Sequence, residues 1–297
     1  MTEGSGISDR ILCRKYEKEE IMAKECNASG CDKSSCEGCP SRQSEKNSFL
    51  EPVNAKSEIN HVIAVASGKG GVGKSLVTAS LANLMAKKGF RVGILDADIT
   101  GPSIPRMYGL TGAAMGDGEN ILPRETANGI KVISVNLLLP TQETPVIWRG
   151  PILANMVKQF WTDVIWGELD YLFIDMPPGT GDVPLTAFQS LPIDGIFIVT
   201  SPQDLVRMIV TKAYNMAQMM NIPVLGIVEN YSYVRCPDCG KPIMVFGESH
   251  IDDIAADLSV PVVGRIPIDP EIARMVEDGS FADVNNEYLE QAAAVLP

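Results

Sequence analysis

One stretch of eight residues limits what this chain can fold into more than any other feature. Residues 68–75 read Gly-Lys-Gly-Gly-Val-Gly-Lys-Ser and fit G-x-x-x-x-G-K-[S/T], the pattern of loops that wrap around nucleotide phosphates. Glycines let the backbone turn so that successive N–H groups point at phosphate oxygens. Lys74 supplies positive charge to the outer phosphates, and the Ser75 hydroxyl is a ligand for Mg²⁺. The predicted nucleotide site comprises Gly68, Lys69, Gly70, Gly71, Val72, Gly73, Lys74 and Ser75.

The segments on either side of this loop have the composition that a phosphate loop requires. Residues 61–67 form an apolar, β-branched run that is typical of a buried parallel strand. Residues 75–88 are mostly apolar with the spacing of a helix, and Gly89 is a typical helix end. The alternative is a chance glycine-rich turn. The strand and the helix that flank the motif favour the phosphate loop.

From residue 60 onward the chain alternates between strand and helix patterns. Strands are predicted at 62–67, 91–95, 131–135, 171–175, 195–200, 223–229 and 261–263. Helices are predicted near 75–88, 151–167, 184–191, 203–220, 248–258, 269–278 and 285–295. This alternation predicts an α/β fold with a doubly wound, mostly parallel sheet. Ligands of such sheets bind at the carboxyl ends of the strands.

Composition excludes several classes of function. The 297 residues carry a net charge of -12, which disfavours binding to a nucleic-acid backbone. No apolar run resembles a signal peptide or is long enough to cross a membrane, so we expect a cytoplasmic protein without a membrane partner. That compartment is reducing. The seven cysteines are therefore interpreted as metal ligands or redox groups instead of disulfides.

Carboxylates follow two of the predicted strands and complete the nucleotide site. Asp96 and Asp98 end one apolar strand, and Asp175 ends another. At strand ends beside a phosphate loop, such groups hold Mg²⁺ and an attacking water. We expect Ser75, Asp96 and Asp175 to serve Mg²⁺, and Asp98 to position the water. A turn or helix cap is the alternative role for any single strand-end aspartate.

Lys69 is a second lysine inside the loop, and a lysine there can reach a neighbouring subunit's nucleotide, as an arginine finger does. The segment Lys69-Gly-Gly-Val-Gly-Lys74-Ser resembles the deviant Walker A loop of the MinD/ParA/nitrogenase-iron-protein class of dimerising ATPases. Blocks at 96–103, 145–151, 173–182 and 198–203 resemble the Mrp/ApbC branch, whose members carry iron–sulfur clusters. The resemblance implies ATP hydrolysis, for which we expect Lys69, Lys74 and Asp98 to be the catalytic residues. It also implies that Asn230 hydrogen-bonds the adenine.

A late pair of cysteines, Cys236 and Cys239, has the Cys-x-x-Cys spacing that lets two thiolates bind one metal. Two ligands leave a tetrahedral site incomplete. The simplest completion is a two-fold axis, with the same pair supplied by a second copy. The resemblance implies a bridging [4Fe–4S] cluster there. A structural zinc knuckle and a thioredoxin-like dithiol are the alternatives.

The first 57 residues differ from the rest, because they are polar and hold five of the seven cysteines. We expect residues 1–57 to be a cysteine-rich segment with a linker at 41–57, and residues 58–297 to be the ATPase domain. Cys26, Cys31, Cys36 and Cys39 could hold a second [4Fe–4S] cluster. The alternatives are zinc, participation of Cys13, or a disordered tail with reactive thiols.

These observations predict a homodimeric carrier that binds and slowly hydrolyses ATP with Mg²⁺. Its cargo would be a [4Fe–4S] cluster, which it would assemble and transfer to apo iron–sulfur proteins. One alternative is a zinc-binding adaptor switched by nucleotide. Others are a positioning ATPase similar to MinD and ParA, and a reductase similar to the nitrogenase iron protein. A positioning ATPase would leave the late cysteine pair without a role. The nitrogenase iron protein holds its cluster with two well-separated cysteines instead of a Cys-x-x-Cys pair.

Overall fold

A computed structural model describes residues 50–98, 101, 103–116, 118–138, 150–179, 181–202, 206–284 and 287–297. In this part of the chain one sheet has the order β10-β7-β6-β1-β5-β2-β4-β3, and β8 and β9 form a separate antiparallel pair. The strands are β1 Glu58–Ala66, β2 Val92–Asp96, β3 Arg124–Glu125, β4 Lys131–Ser134, β5 Glu168–Asp175, β6 Gly195–Thr200, β7 Val224–Asn230, β8 Val234–Arg235, β9 Pro242–Ile243 and β10 Val262–Ile266.

Helices cover both faces of the large sheet. They are α1 Lys74–Lys87, α2 Ile104–Met107, α3 Gly150–Thr162, α4 Asp182–Ser190, α5 Val206–Met219, α6 Ile251–Leu258, α7 Pro270–Asp278 and α8 Glu290–Ala294. Short 3₁₀ turns occur at Val135–Leu137, Phe281–Asp283 and Glu287–Leu289. Every pairing in the large sheet is parallel except that of β3 with β4. The predicted doubly wound α/β fold is confirmed.

The central strand β1 shows why an apolar run folds this way. Its side chains alternate between the two faces, so Ile63 and Val65 pack under α1 while Val62 and Ala64 pack under α3 and α4. A strand that is buried on both faces must be apolar throughout. This explains why the strands nearest the middle were the easiest to predict.

The structure differs from the sequence predictions at several element ends. The helix predicted at 151–167 ends at Thr162, because Val164 forms a bridge with Ile121 and the Ile165 N–H donates to the Ile121 carbonyl. Where one helix was predicted at 285–295, the described residues form a 3₁₀ turn at Glu287–Leu289 followed by α8. The β8–β9 hairpin, β3 and α2 were not predicted. All four elements are short, and non-local contacts decide such elements more than local pattern does.

Residues 50–57, the described part of the predicted linker, lie against the domain. The Glu51 N–H donates to the Ser190 carbonyl, and the Trp161 indole donates to the Glu51 carbonyl. The Asn54 amide donates to the Thr162 carbonyl at 3.0 Å. This stretch is therefore part of the packed surface. The candidate ligands Cys13, Cys26, Cys31, Cys36 and Cys39 lie outside the described residues.

No helix among the residues described here combines the length and the apolar character that a membrane crossing needs.

Substitution of Trp166 tests the packing on the side of the large sheet that α3 covers. It is fully buried, and its indole N–H donates to the Phe160 carbonyl at 3.1 Å. We predict that Trp166→Ala lowers the free energy of unfolding by about 3–5 kcal/mol, because a large cavity replaces the ring. The matched control Ile152→Ala removes a side chain that is 50% exposed and should change stability by less than about 0.5 kcal/mol. Equal losses in urea denaturation would contradict this description of the core.

Candidate nucleotide site and cysteine hairpin

The phosphate loop connects β1 to α1, as the motif predicted. Gly71 and Gly73 have φ values of +79° and +83°, in the left-handed region that glycine adopts without strain. A Cβ atom at Gly73 would lie 2.2 Å from Asn230 Nδ2, so no side chain fits there. The sharp turn at Gly73 leads directly into α1. Its first N–H groups therefore point toward the space that the loop surrounds.

The other end of the loop is held by a helix and a hydrogen bond. A Cβ atom at Gly68 would lie 2.5 Å from the carbonyl oxygen of Ile209 in α5, which shows how closely this helix approaches. The Ser67 hydroxyl donates to the Lys69 carbonyl at 2.6 Å. The Gly179 N–H donates to the Ser67 carbonyl at 2.9 Å. The backbone is therefore positioned on both sides by groups distant in sequence.

Lys74 lies inside the site beside one of the predicted carboxylates. Its side chain is only 5% exposed, and its Nζ lies 3.9 Å from Asp98 Oδ2. A buried ammonium group needs a compensating negative charge, which Asp98 supplies in this structure. The structure thus brings two predicted catalytic residues together. Lys69, the third, is half-buried within the loop.

Asp175 lies at the end of β5 under the loop. Its Oδ2 accepts a hydrogen bond of 2.5 Å from the Ser75 hydroxyl, and its Oδ1 accepts one of 3.3 Å from Thr78. Burial raises the pKa of the Asp175 carboxyl to about 7, and the hydrogen bond from Ser75 opposes this only in part. Thr78 is a site residue that the loop motif does not include, but its position four residues after Lys74 places it on the same face of α1.

Asp96 is the register partner of Asp175 on the adjacent strand and is fully buried. Its Oδ1 accepts from the Asp98 N–H at 3.2 Å, but its Oδ2 has no hydrogen-bond partner in the described part of the chain, nor does the nearby Ser134 hydroxyl. Burial, followed by repulsion from Asp175, raises the pKa of the Asp96 carboxyl well above its usual range. An unpaired buried oxygen is an unusual and costly arrangement.

These carboxyl groups and the Ser75 hydroxyl form an oxygen donor set that fits Mg²⁺. A bound cation would favour the charged form of both acids, and it would give the free oxygen of Asp96 a partner or a hydrating water. Among the described residues, no group of three or more His, Cys, Asp or Glu side chains could hold a metal. The remaining ligands of a magnesium ion would come from nucleotide phosphates and water, as is usual for this cation.

Asn230, at the end of β7, is buried against the phosphate loop. Its Nδ2 donates to the Val72 carbonyl at 3.0 Å, and its Oδ1 accepts from the Tyr231 N–H at 2.9 Å. The hydrogen bond to adenine that the resemblance implies for this amide stays a prediction. In this structure the amide positions the loop.

The late cysteine pair lies on the β8–β9 hairpin, which follows β7. The Cys236 N–H donates to the Lys241 carbonyl, and the Gly240 N–H donates to the Cys236 carbonyl, both at 2.9 Å. Gly240 has φ +71°, the conformation that closes this turn. Both thiols are free, Cys236 half-buried and Cys239 exposed. The structure therefore presents the pair at the protein surface and not in the interior.

The environment of the hairpin favours the thiolate form of Cys236. Hydrogen bonds from the backbone of Cys239 and of Asp238 lower the pKa of the Cys236 thiol. A lowered pKa increases the thiolate fraction, and the thiolate is the form that binds metal. Among the residues that the structure describes, no third Cys, His, Asp or Glu completes the site. The described residues of one chain therefore supply two ligands here.

A long exposed segment follows Cys236 and contains Cys239. Every residue from 237 to 248 is exposed. The segment includes four consecutive apolar residues, Ile243, Met244, Val245 and Phe246, which are 45% to 54% exposed. Exposed apolar groups that are contiguous in this way mark surfaces that bind another molecule.

Glu229 is a further residue that the sequence analysis did not identify. It is 1% exposed at the end of β7, and its carboxylate accepts hydrogen bonds from the hydroxyls of Ser232 and Ser249. These serines lie just before and just after the cysteine hairpin in the chain. A single charged residue within the otherwise apolar run 223–229 was the signal that could have revealed it.

Comparisons with known proteins agree with this geometry. Residues 58–296 match the family described as ParA, NUBPL iron-transfer P-loop NTPase. An iron–sulfur cluster carrier protein from Clostridium perfringens is 48% identical over 229 residues, which cover 74% of this chain and 80% of the relative. One from Methanocaldococcus jannaschii is 47% identical over 248 residues, covering 80% and 85%. The family match includes both the phosphate loop and the cysteine pair.

One solved structure is also similar. It is the nucleotide-binding protein from Archaeoglobus fulgidus in complex with ADP and with cobalt found by PIXE. The sequences are 41% identical and the TM-score is 0.71, with 84% of this chain and 94% of that chain covered.

Asp96 allows a test of the buried carboxyl pair. We predict that Asp96→Asn stabilises the metal-free protein at pH 8 by about 1 kcal/mol or more, because it removes a charge whose burial is unfavourable. A raised pKa means that the folded state favours the neutral acid, so wild-type stability falls as the pH rises toward that pKa. The gain should therefore be larger at pH 8 than at pH 5.5 in urea denaturation with EDTA.

The control is Asp257→Asn, which alters an exposed ion pair with Arg207 and should change stability by less than about 0.5 kcal/mol. A gain for Asp96→Asn that is the same at both pH values, or a loss at pH 8, would contradict the described burial of this carboxylate.

Proposed function

The chain belongs to the family of ParA/NUBPL iron-transfer P-loop NTPases, and we propose that it is an ATP-dependent carrier of iron–sulfur clusters. The resemblance seen in the sequence motifs is confirmed by the family match over residues 58–296. The single observation that supports the carrier role best is the exposed, two-thiol hairpin directly after the strand whose end contacts the phosphate loop. A storage site would be enclosed, whereas cargo that must be passed on needs an accessible site.

In this proposal the loop binds ATP, and its backbone N–H groups and Lys74 neutralise the phosphates. Ser75, Asp96 and Asp175 would hold Mg²⁺, which when bound spreads the negative charge of the phosphates. Lys74 would turn from Asp98 to the nucleotide, and the Asp98 carboxylate would orient the attacking water. Lys69 would act on the nucleotide of the second subunit.

The cargo is a [4Fe–4S] cluster bound by Cys236 and Cys239 from each of two copies. Four thiolates complete the ligand set of such a cluster, and each chain contributes two in the part described. The exposed residues 243–246 lie at the end of this hairpin and directly after it, so they would face the second copy around the cluster. Burial of these apolar groups would favour the dimer and keep water from the cargo.

Recipients of the cluster would be apo iron–sulfur proteins in the cytoplasm. Loosening of the dimer exposes a shared cluster, so a change in dimer affinity on ATP binding or hydrolysis would control its release. Cys26, Cys31, Cys36 and Cys39 stay candidates for a second cluster.

The two lysines of the loop should behave differently. We predict that Lys74→Ala weakens ATP binding by about one to two orders of magnitude, because the phosphates lose a buried cation. Lys69→Ala should change affinity by less than about threefold but slow hydrolysis by about 10³-fold or more, as expected for a residue that acts in trans. Titration calorimetry and phosphate release measure these effects, with exposed Lys212→Ala as the control.

Normal hydrolysis by Lys74→Ala would contradict the assignment of the phosphate loop. An equal loss of affinity and rate in Lys69→Ala would place this lysine on its own subunit's nucleotide.

The cysteine pair is tested by anaerobic reconstitution with iron and sulfide. We predict that Cys236→Ala combined with Cys239→Ala removes about four irons per dimer while ATP binding is retained. Asp238→Ala is the matched control, because it alters the same turn but keeps both thiols and the backbone N–H groups. Unchanged iron content in the double variant would refute the bridging site. Stoichiometric zinc without visible absorption in the wild type would favour the adaptor instead.

A further inference from the structure

Strand β7 ends in two consecutive buried polar residues, Glu229 and Asn230, that contact different sites. Side chains alternate along a strand, so adjacent residues point to opposite faces of the sheet. Val228, two residues before Asn230, packs in the core cluster that contains α1. Ile227, two residues before Glu229, packs in the separate cluster that contains α5 and α6. Asn230 therefore lies on the side of the phosphate loop, and Glu229 on the opposite side.

On the first face, Asn230 and the phosphate loop are packed as one unit. The Asn230 amide donates to the Val72 carbonyl at 3.0 Å and lies directly against Gly73. The next residue, Tyr231, has φ +60°, which is uncommon for a side-chain-bearing residue. The hydrogen bond from its N–H to Asn230 Oδ1 helps to hold this turn. A displacement of the loop at Val72 must therefore move the end of β7 or break this contact.

On the second face, Glu229 holds both ends of the cysteine-bearing segment. The Ser232 and Ser249 hydroxyls both donate to its carboxylate. Ser249 Oγ also accepts from the Ile251 N–H at 3.2 Å, which ties it to the start of α6. Arg265 Nε lies 3.8 Å from Glu229 Oε2 and provides partial charge compensation. A buried carboxylate is unfavourable unless it is paired and hydrogen-bonded, and here the hydroxyl donors come from the two ends of one segment.

The segment between these serines is held mainly at its ends, although Arg235 within it also lies over the Tyr288 ring, 5.9 Å from the ring centroid. Residues 237–248 are all exposed, and its two strands contain two residues each. An isolated hairpin of this kind has little stability of its own. Apart from the Glu229 contacts, the backbone bonds from Ser232 to Ile266 and from Ile268 to Tyr233 connect its start to the domain. Small movements at the ends would therefore change where Cys236 and Cys239 point.

We propose that Glu229 and Asn230 are a pair of positioning residues that couple the phosphate loop to the cysteine hairpin. Nucleotide binding displaces the loop at Val72, Asn230 transmits the shift to the end of β7, and Glu229 transmits it through Ser232 and Ser249 to the hairpin. The orientation of the two thiols then depends on the nucleotide. This inference rests on the proposed function, because it assumes that the loop binds ATP and that the thiols hold the cargo.

The coupling is tested with the reconstituted full-length protein. The rate at which a chelator removes the cluster is measured without nucleotide and with a non-hydrolysable ATP analogue, and the ratio of the two rates is the readout. We expect a ratio of at least about fivefold, in either direction, for the wild type, as is typical of coupled sites. In Ser249→Ala and in Glu229→Gln the ratio should fall below about twofold, while analogue affinity and initial iron content change by less than about twofold. If these residues had a purely structural role, the substitutions would instead lower the analogue affinity and the initial iron content.

Glu248→Gln is the matched control, because it removes one exposed negative charge next to Ser249 and leaves the Glu229 contacts intact. Hydrogen exchange of residues 233–248 gives a second readout that needs no cluster. Nucleotide should change the exchange rate of this segment in the wild type and in Glu248→Gln, but not in Ser249→Ala or in Glu229→Gln.

The outcomes separate this inference from the proposed function. If the nucleotide effect seen in the wild type persists in full in both Ser249→Ala and Glu229→Gln, the coupling role of Glu229 is overturned and the proposed function is not. A wild type that binds nucleotide and cluster but shows no nucleotide effect in either readout would overturn the coupling and the nucleotide-controlled release together. Loss of the effect in Glu248→Gln as well would also contradict the assignment to Glu229.

Discussion

The close packing of the phosphate loop between α5 and the end of β7 is the constraint on which the rest of this structure depends. Close contact with α5 at Gly68 and with Asn230 at Gly73 leaves no room for side chains. Buried polar groups then surround the loop: Lys74 beside Asp98, and Ser75 on Asp175. Such groups are unfavourable in a protein interior unless they are paired. Together they form a charged site that suits phosphates and a cation. Burial of these groups lowers the stability of the protein when no ligand is bound.

The cysteine hairpin has the opposite character. It has no core of its own, its apolar residues 243–246 are exposed, and each chain supplies only two thiols in the part described. Both features are explained together if a second copy covers the hairpin and completes the ligand set. A carrier must release its cargo, and a site shared between two chains can be opened by separating them.

The sequence predicted the features that local patterns determine. The glycine spacing fixed the loop, the apolar runs identified the central strands, and Asp96 and Asp175 followed from their positions at strand ends. The contact of Asn230 with Val72 and the clamp of Glu229 on Ser249 join residues that are far apart or separated by an irregular segment. No periodicity encodes such contacts. Two-residue strands such as β8 and β9 are too short for a pattern, and their existence depends on the turn around the cysteines.

The central claim is that one cluster is shared by two chains through Cys236 and Cys239. Native mass spectrometry of the anaerobically reconstituted protein tests it most directly, with Cys26, Cys31, Cys36 and Cys39 replaced by serine so that the late pair is observed alone. The account predicts a species of two chains with four irons and four sulfides, which on cluster loss yields iron-free single chains. A single chain that retains a complete cluster, or a dimer with one cluster in each chain, would contradict it.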